Sequence, residues 1–278
     1  MKLFVDDLTH VDFSLLDAER GLLGESWVVR LELDGSLNEE GMICDFGIVK
    51  KRVKQWFDEG IDHALAVAKG MPGVEIREAG GRTEVLWTDS DGMPFRCEGP
   101  DQAFALLDVD AIEPEAVASW CESRLKALFP EEVQGLKLTL YPESIDGAYY
   151  HYSHGLQKHQ GNCQRIAHGH RSRVQVLLDG QRNREQEQFW AEAFRDIYIG
   201  TDSHLVKQEG GVSFFSYEAP QGQFELSLRS DRVYMIDTES TVEQIAQHMA
   251  RETAARNPSR AVEVRAFEGL GKGAIASF

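Results

Sequence analysis

The sequence predicts an α+β protein of two tandem modules, each an antiparallel sheet with two helices on one face. Three observations carry this prediction. A strand-like segment that ends in an Asp-Gly turn occurs twice. In each half it is followed by a helix with an acidic start. Each half then closes with an apolar strand that runs into a glutamate. Repeats in a shared order are the signature of duplication. At 278 residues the chain has room for two small domains.

The repeated strand is Gly24-Glu25-Ser26-Trp27-Val28-Val29-Arg30-Leu31-Glu32-Leu33-Asp34-Gly35. Its partner is Gly169-His170-Arg171-Ser172-Arg173-Val174-Gln175-Val176-Leu177-Leu178-Asp179-Gly180. Both alternate in part and end at a turn dipeptide. His10 precedes the first copy and His154 the second. Downstream, Asp62-His63 finds a rough counterpart in Asp202-Ser203-His204. The next helix is predicted to open at Glu113-Pro114-Glu115 in the first half, where Pro suits the first turn. In the second half it is predicted to open around Asp237-Thr238-Glu239. Val117, Trp120, Cys121, Leu125 and Leu128, and then Val242, Ile245, Ala246 and Met249, recur at helical spacing. The closing strands are 136–141 before Glu143 and 262–267 before Glu268. A further helix is predicted over Ile48–Phe57, and further strands over 85–97 and 212–234. The modules divide as residues 1–147 and 148–278.

Bulk properties exclude several classes of function. A net charge of −17 argues against non-specific nucleic-acid or anionic-membrane binding, which need a basic surface. At 42% hydrophobic residues, the chain can build cores. No stretch has the apolar length of a membrane span, and Met1–Asp7 lacks the apolar centre of a secretion signal. The four cysteines, Cys44, Cys97, Cys121 and Cys163, make no CxxC pair. These features point to a reduced, soluble, cytoplasmic protein.

Five of the nine histidines lie between 151 and 170. His168 and His170, two apart on a strand, point to one side of the sheet. His154 on a neighbouring strand can complete a three-nitrogen face with an open fourth position, the arrangement of catalytic zinc. The alternative is a solvated surface cluster. Cys163 stands five residues before His168, where a metal or basic group can turn a thiol into a base or nucleophile. Cys44, Cys97 and Cys121 read as small buried hydrophobes. In Asp62-His63, a carboxylate beside an imidazole can orient it. Glu143 and Glu268 end apolar strands. They could accept paired hydrogen bonds from an amino-pyrimidine edge or simply be solvated.

Together these residues resemble the 6-pyruvoyl-tetrahydropterin and 6-carboxy-tetrahydropterin synthase family, which has the tunnelling fold. The resemblance covers nearly the whole chain twice, each half incomplete in a different way. The first half keeps Gly41-Met42-Ile43-Cys44-Asp45-Phe46-Gly47, Ile61-Asp62-His63-Ala64-Leu65 and Glu143, but reads Leu23-Gly24-Glu25 where the family has His-Gly-His. The second keeps His154, Cys163, His168-Gly169-His170, Thr241-Val242-Glu243 and Glu268, without a clean Asp-His pair. The resemblance implies zinc on His154, His168 and His170 and Cys163 as the proton-abstracting base. Asp62 and His63 would assist proton transfer, and Glu143 or Glu268 would anchor the pterin. It implies lyase chemistry on dihydroneopterin triphosphate or a close pterin, with Arg165, Arg171 and Lys158 as candidate triphosphate partners. Two other readings stay open: a degenerate pterin- or purine-binding protein, and another tunnelling-fold enzyme such as a cyclohydrolase. Open sheet edges predict a homo-oligomer.

Overall fold

The computed structural model describes residues Met1 to Phe278. The first half contains β1 (Lys2–Asp17), β2 (Gly21–Gly35), α1 (Phe46–Gly60), β3 (Leu65–Ala68), β4 (Glu75–Ala79), β5 (Arg82–Thr88), β6 (Pro94–Pro100), β7 (Phe104–Leu107), α2 (Pro114–Leu125) and β8 (Val133–Pro142). The second contains β9 (Tyr149–His154), β10 (His168–Leu178), β11 (Gln181–Arg182), α3 (Arg184–Ala193), β12 (Ile197–Thr201), β13 (Leu205–Glu209), β14 (Val212–Ala219), β15 (Gly222–Arg229), β16 (Val233–Ile236), α4 (Val242–Arg256), β17 (Val262–Phe267) and β18 (Gly273–Ser277). The fold is α+β. No helix is long and apolar enough to cross a membrane.

Local chemistry sets the helix ends. The Asp45 carboxylate caps α1 by accepting the Ile48 N–H, and Val49, Val53 and Phe57 at helical spacing bury one face. Pro114 occupies the start of α2, which buries Val117, Ala118, Cys121 and Leu125. In α3, which the sequence left unassigned, the Asn183 side chain accepts the Gln186 N–H, and Trp190 goes into the core. The last helix does not open at 237–239. It begins at Val242, where the Thr241 hydroxyl accepts the Gln244 N–H at 3.4 Å.

The sheets are mixed, a correction to the antiparallel expectation. In the first half β1, β2 and β8 pair antiparallel, but β3 runs parallel to β1 and β7 parallel to β3. Parallel neighbours need a crossover. The β4–β6 excursion supplies it between β3 and β7. The second half repeats this, with β12 parallel to both β9 and β16. The two excursions join. β6 pairs antiparallel with β15, and the resulting third sheet, in the order β13-β14-β15-β6-β5-β4, belongs to both halves.

Local two-fold pseudosymmetry relates the halves. Ser14 stands opposite Gly24 in β1/β2, as Ser153 stands opposite Gly169 in β9/β10. Ser14 Oγ donates to Ser153 Oγ at 2.7 Å. Gly24 and Gly169 pack against each other so closely that a side-chain carbon on either would collide with backbone. Glycine is required there to bring the two sheets together.

Candidate active site

The pairing of β9 and β10 sets His154 opposite His168 and His170 opposite Tyr152. All three histidines are buried. One ligand nitrogen from each lies within 4.8 Å of the others. His154 Nδ1 meets the Ser240 carbonyl at 2.8 Å, and His168 Nδ1 meets the Arg165 carbonyl at 2.9 Å. A carbonyl only accepts, so each Nδ1 carries the hydrogen and each Nε2 presents a lone pair. The Nε2 atoms of His154, His168 and His170 have no hydrogen-bond partner. Three buried, orphaned imidazole nitrogens that converge are a donor set suited to zinc, with a fourth position free. Burial and neighbouring histidines hold His154 and His168 well below the usual histidine range, in the neutral form a metal needs.

The first half supplies the groups opposite. Asp62-His63 forms the turn after α1, with His63 in the left-handed region at φ 56°. The turn is pinned to β1. Asp62 Oδ1 accepts the Asp12 N–H at 2.9 Å, and the His63 N–H donates to the Asp12 carbonyl at 2.7 Å. Asp62 Oδ2 lies 2.6 Å from His63 Nδ1, which turns the imidazole toward His168, with ring centroids 5.2 Å apart. Cys163 sits on the short turn Asn162–Gln164 in the loop between β9 and β10. Ligand atoms of His63, Cys163 and His168 lie within 4.8 Å of one another. Burial disfavours charge on His63, but the Asp62 carboxylate and Cys163 outweigh it and lift the imidazole to about 10.

The two glutamates separate. Glu268 Oε1 is 3.9 Å from His170 Nε2, at the metal face. The Glu143 carboxylate instead pairs with Arg173, and its carbonyl accepts from Arg171 at 2.7 Å. Strand alternation places Arg171 and Arg173 on the face of β10 opposite the histidines. Arg171 lies over the Tyr149 ring, so this proposed triphosphate partner is turned away from the metal face. Arg165 is buried beside the Asp62 carbonyl at 3.3 Å. Exposed Lys158 pairs with Glu239 at 3.3 Å.

Strand register corrects two of the repeat matches. The first-half counterpart of His154 is Leu15; His10 lies outside the site, exposed and opposite Val28. Leu65 and Tyr198 occupy matching positions beside Ser14 and Ser153. The counterpart of His63 is therefore Asp196, which shares its left-handed backbone at φ 55°. His204 belongs to the turn after β12 and meets Gln157 and Glu239 instead. Leu15, Leu23 and Glu25 thus replace the three histidines in the first half. Arg20 closes that place with a bidentate pair to Asp196 at 3.0 and 2.5 Å. The β1–β2 turn spans only residues 18–20 and has no room for a thiol loop like 155–167.

Sequence reasoning missed Asp12, Ser240 and Lys272. Asp12 is buried on β1, with Oδ1 3.4 Å from His170 Nδ1 and Oδ2 3.2 Å from Lys272 Nζ. An acid inside the apolar run 11–16 was a signal that could have found it.

A family model described as 6-pyruvoyl tetrahydropterin synthase matches the chain twice, over residues 10–151 and 143–277. A putative 6-carboxy-5,6,7,8-tetrahydropterin synthase of Pyrococcus horikoshii is 24% identical over 120 residues, covering 43% of this chain and 68% of its own. The 6-pyruvoyltetrahydropterin synthase structure from Plasmodium vivax is 19% identical, covers 52% of this chain and 91% of its own, and has a TM-score of 0.43. Its Plasmodium falciparum counterpart is 16% identical over 50% of this chain and 90% of its own, with a TM-score of 0.39. Through both of its halves, the chain belongs to the 6-pyruvoyl tetrahydropterin synthase family.

Proposed function

We propose that the chain is a zinc-dependent, tetrahydropterin synthase-like lyase acting on dihydroneopterin triphosphate or a close pterin. Its single site is built across two modules, 1–147 and 148–278. The observation that supports this best is the convergence of His154, His168 and His170 with Cys163 and with Asp62-His63 from the other half. A protein that only binds a pterin has no use for a thiol held against an Asp-oriented imidazole.

His154, His168 and His170 would hold the ion through Nε2, and a bound zinc would supply polarisation of the substrate side-chain oxygens. Cys163 Sγ, as thiolate, takes the proton from a substrate side-chain carbon and becomes a thiol, and the electron pair left on that carbon forms a C=C bond as the triphosphate departs from the neighbouring carbon. His63, protonated and held at Nδ1 by Asp62, gives its Nε2 proton to the substrate and is then reprotonated by the Cys163 thiol. Glu268 anchors the amino-pyrimidine edge beside the metal face. Glu143 is the weaker candidate because Arg173 already occupies its carboxylate. Copies of the chain associate through open edges such as β8, which pairs on one side only.

Zinc-loaded protein incubated with dihydroneopterin triphosphate, followed by product identification, tests the reading. Expected are release of inorganic triphosphate and a pterin product with an altered side chain and an intact ring. Cys163→Ala should lower turnover by roughly 10²–10⁴-fold while zinc stays bound, and His168→Ala should lose most of the zinc. Hydrolysis of the pterin ring would show a cyclohydrolase instead. Binding without turnover would leave only a pterin-binding protein.

A further inference from the structure

We infer that Asp12, a residue of the first half, is a positioning residue for the metal face of the second half, holding His170 so that its Nε2 points at the ion. This rests on the zinc site proposed above. The other two histidines have Nδ1 fixed by backbone carbonyls of their own half, Ser240 and Arg165. His170 has no such carbonyl. Its Nδ1 makes no hydrogen bond and faces Asp12 Oδ1 at 3.4 Å, across the boundary between the halves, as the nearest acceptor able to orient it. A carboxylate behind a metal-ligating imidazole fixes its tautomer and orientation and raises its basicity.

The surroundings of Asp12 are built for this. It is only 5% exposed, and burying a carboxylate is costly unless its oxygens are compensated. Ser26 Oγ donates to Oδ1 at 2.5 Å, and Lys272 Nζ lies 3.2 Å from Oδ2. Lys272 also approaches Glu268 at 3.8 Å, so the hairpin between β17 and β18 ties Asp12 to the proposed pterin anchor. Gly269, at φ 68°, lets this hairpin lie directly on the carboxylate; a side-chain carbon there would collide with Oδ1. The backbone of Asp12 meanwhile holds both Asp62 and His63. One first-half residue therefore touches a proposed ligand of the second half and fixes the Asp-His turn of its own.

The pseudosymmetric pair is an internal control. His151 occupies the register position of Asp12, and Glu25 that of His170, with His151 Nδ1 3.8 Å from Glu25 Oε2. Acid and imidazole are exchanged there, but His151 Nδ1 meets the Gly24 carbonyl at 2.8 Å, so that imidazole does not depend on the carboxylate. Only the Asp12 contact leads to a histidine tripod, because Leu15 and Leu23 replace the other ligands in the first half.

The test is zinc affinity by chelator competition, with the visible spectrum of the cobalt-substituted full-length protein as a second readout. It compares wild type with Asp12→Ala, Asp12→Asn and the control Glu25→Gln. Asp12→Ala should bind zinc about 10–100-fold more weakly and shift the cobalt bands. Asp12→Asn keeps an acceptor oxygen and should fall between it and wild type, whereas Glu25→Gln should match wild type. Zinc affinity within about twofold of wild type and unchanged cobalt bands in both Asp12 variants would overturn the inference, even if both were less heat-stable. If Asp12→Ala does not fold, Asp12→Asn decides alone by the same criteria. Wild type that binds no zinc would overturn the site itself and the inference with it; wild type that binds, with indifferent Asp12 variants, would overturn only the inference.

Discussion

His154, His168 and His170 show what a side chain's position in a strand can tell. The spacing of two on one strand and the third on its neighbour was enough to propose a tripod, because alternation fixes the faces. Position in sequence was a poorer guide where no strand register was visible. His10 and Leu15 lie on the same strand, and a register shift between Val5 and Thr9 shows how irregular that strand is. Asp202-Ser203-His204 has suggestive residue types, yet it follows the short strand that Asp196 precedes. Three predictions belong to single residues. Burial raises the Glu25 carboxyl from 4.5 to about 7. A raised carboxyl binds its proton more tightly when folded, so its contribution is fullest below pH 4.5 and is lost as pH rises toward 7. Glu25→Gln should therefore stabilise the protein at pH 8, by at most about 3 kcal/mol, with no gain at pH 4, as urea melts at the two pH values would measure. Glu268→Gln should raise KM by roughly tenfold to a hundredfold, the loss of a charged hydrogen-bond pair. Glu143→Gln should leave KM unchanged and lower Tm, since it weakens only the pair with Arg173. Steady-state kinetics and thermal melts of the two variants check both.

Among elements, the helices were easier to read than the sheets. The stripe of Val49, Val53 and Phe57 and the Pro114 start are local signals, and both helices formed where they indicated. The parallel pairing of β3 and β7 depends on where a three-stranded excursion brings the chain back, which no local pattern encodes. The joining of β6 to β15 is likewise a contact between excursions 129 positions apart, Cys97 standing opposite Leu226. Where the two halves meet, Gly24 on β2 and Gly169 on β10 pack backbone against backbone. Gly24→Ala would drive a methyl into the Tyr152 carbonyl and the His170 amide. It should cost on the order of 3 kcal/mol and loosen the His168–His170 segment. A fall in Tm together with weaker zinc retention checks this; a melt within a degree of wild type would count against the tight contact.

The whole molecule is a pseudo-dimer in one chain whose two halves carry complementary groups. The second half carries the histidines and the thiol, and the first carries Asp62-His63 and Asp12. Duplication frees each copy to lose what the other still supplies, provided the shared site brings them together. At the other pseudosymmetric position, Leu15 and Leu23 are packed in the core, and Arg20 and Asp196 pair with each other. The account therefore requires one metal per chain, seated across the halves. Anomalous diffraction at the zinc edge from crystals of the zinc-loaded chain tests this most directly. The predicted result is one peak per chain, bound by His154, His168 and His170, with Cys163 and His63 of that same chain facing its open position. A second peak near Glu25, or a single peak whose facing histidine comes from a neighbouring chain, would contradict it.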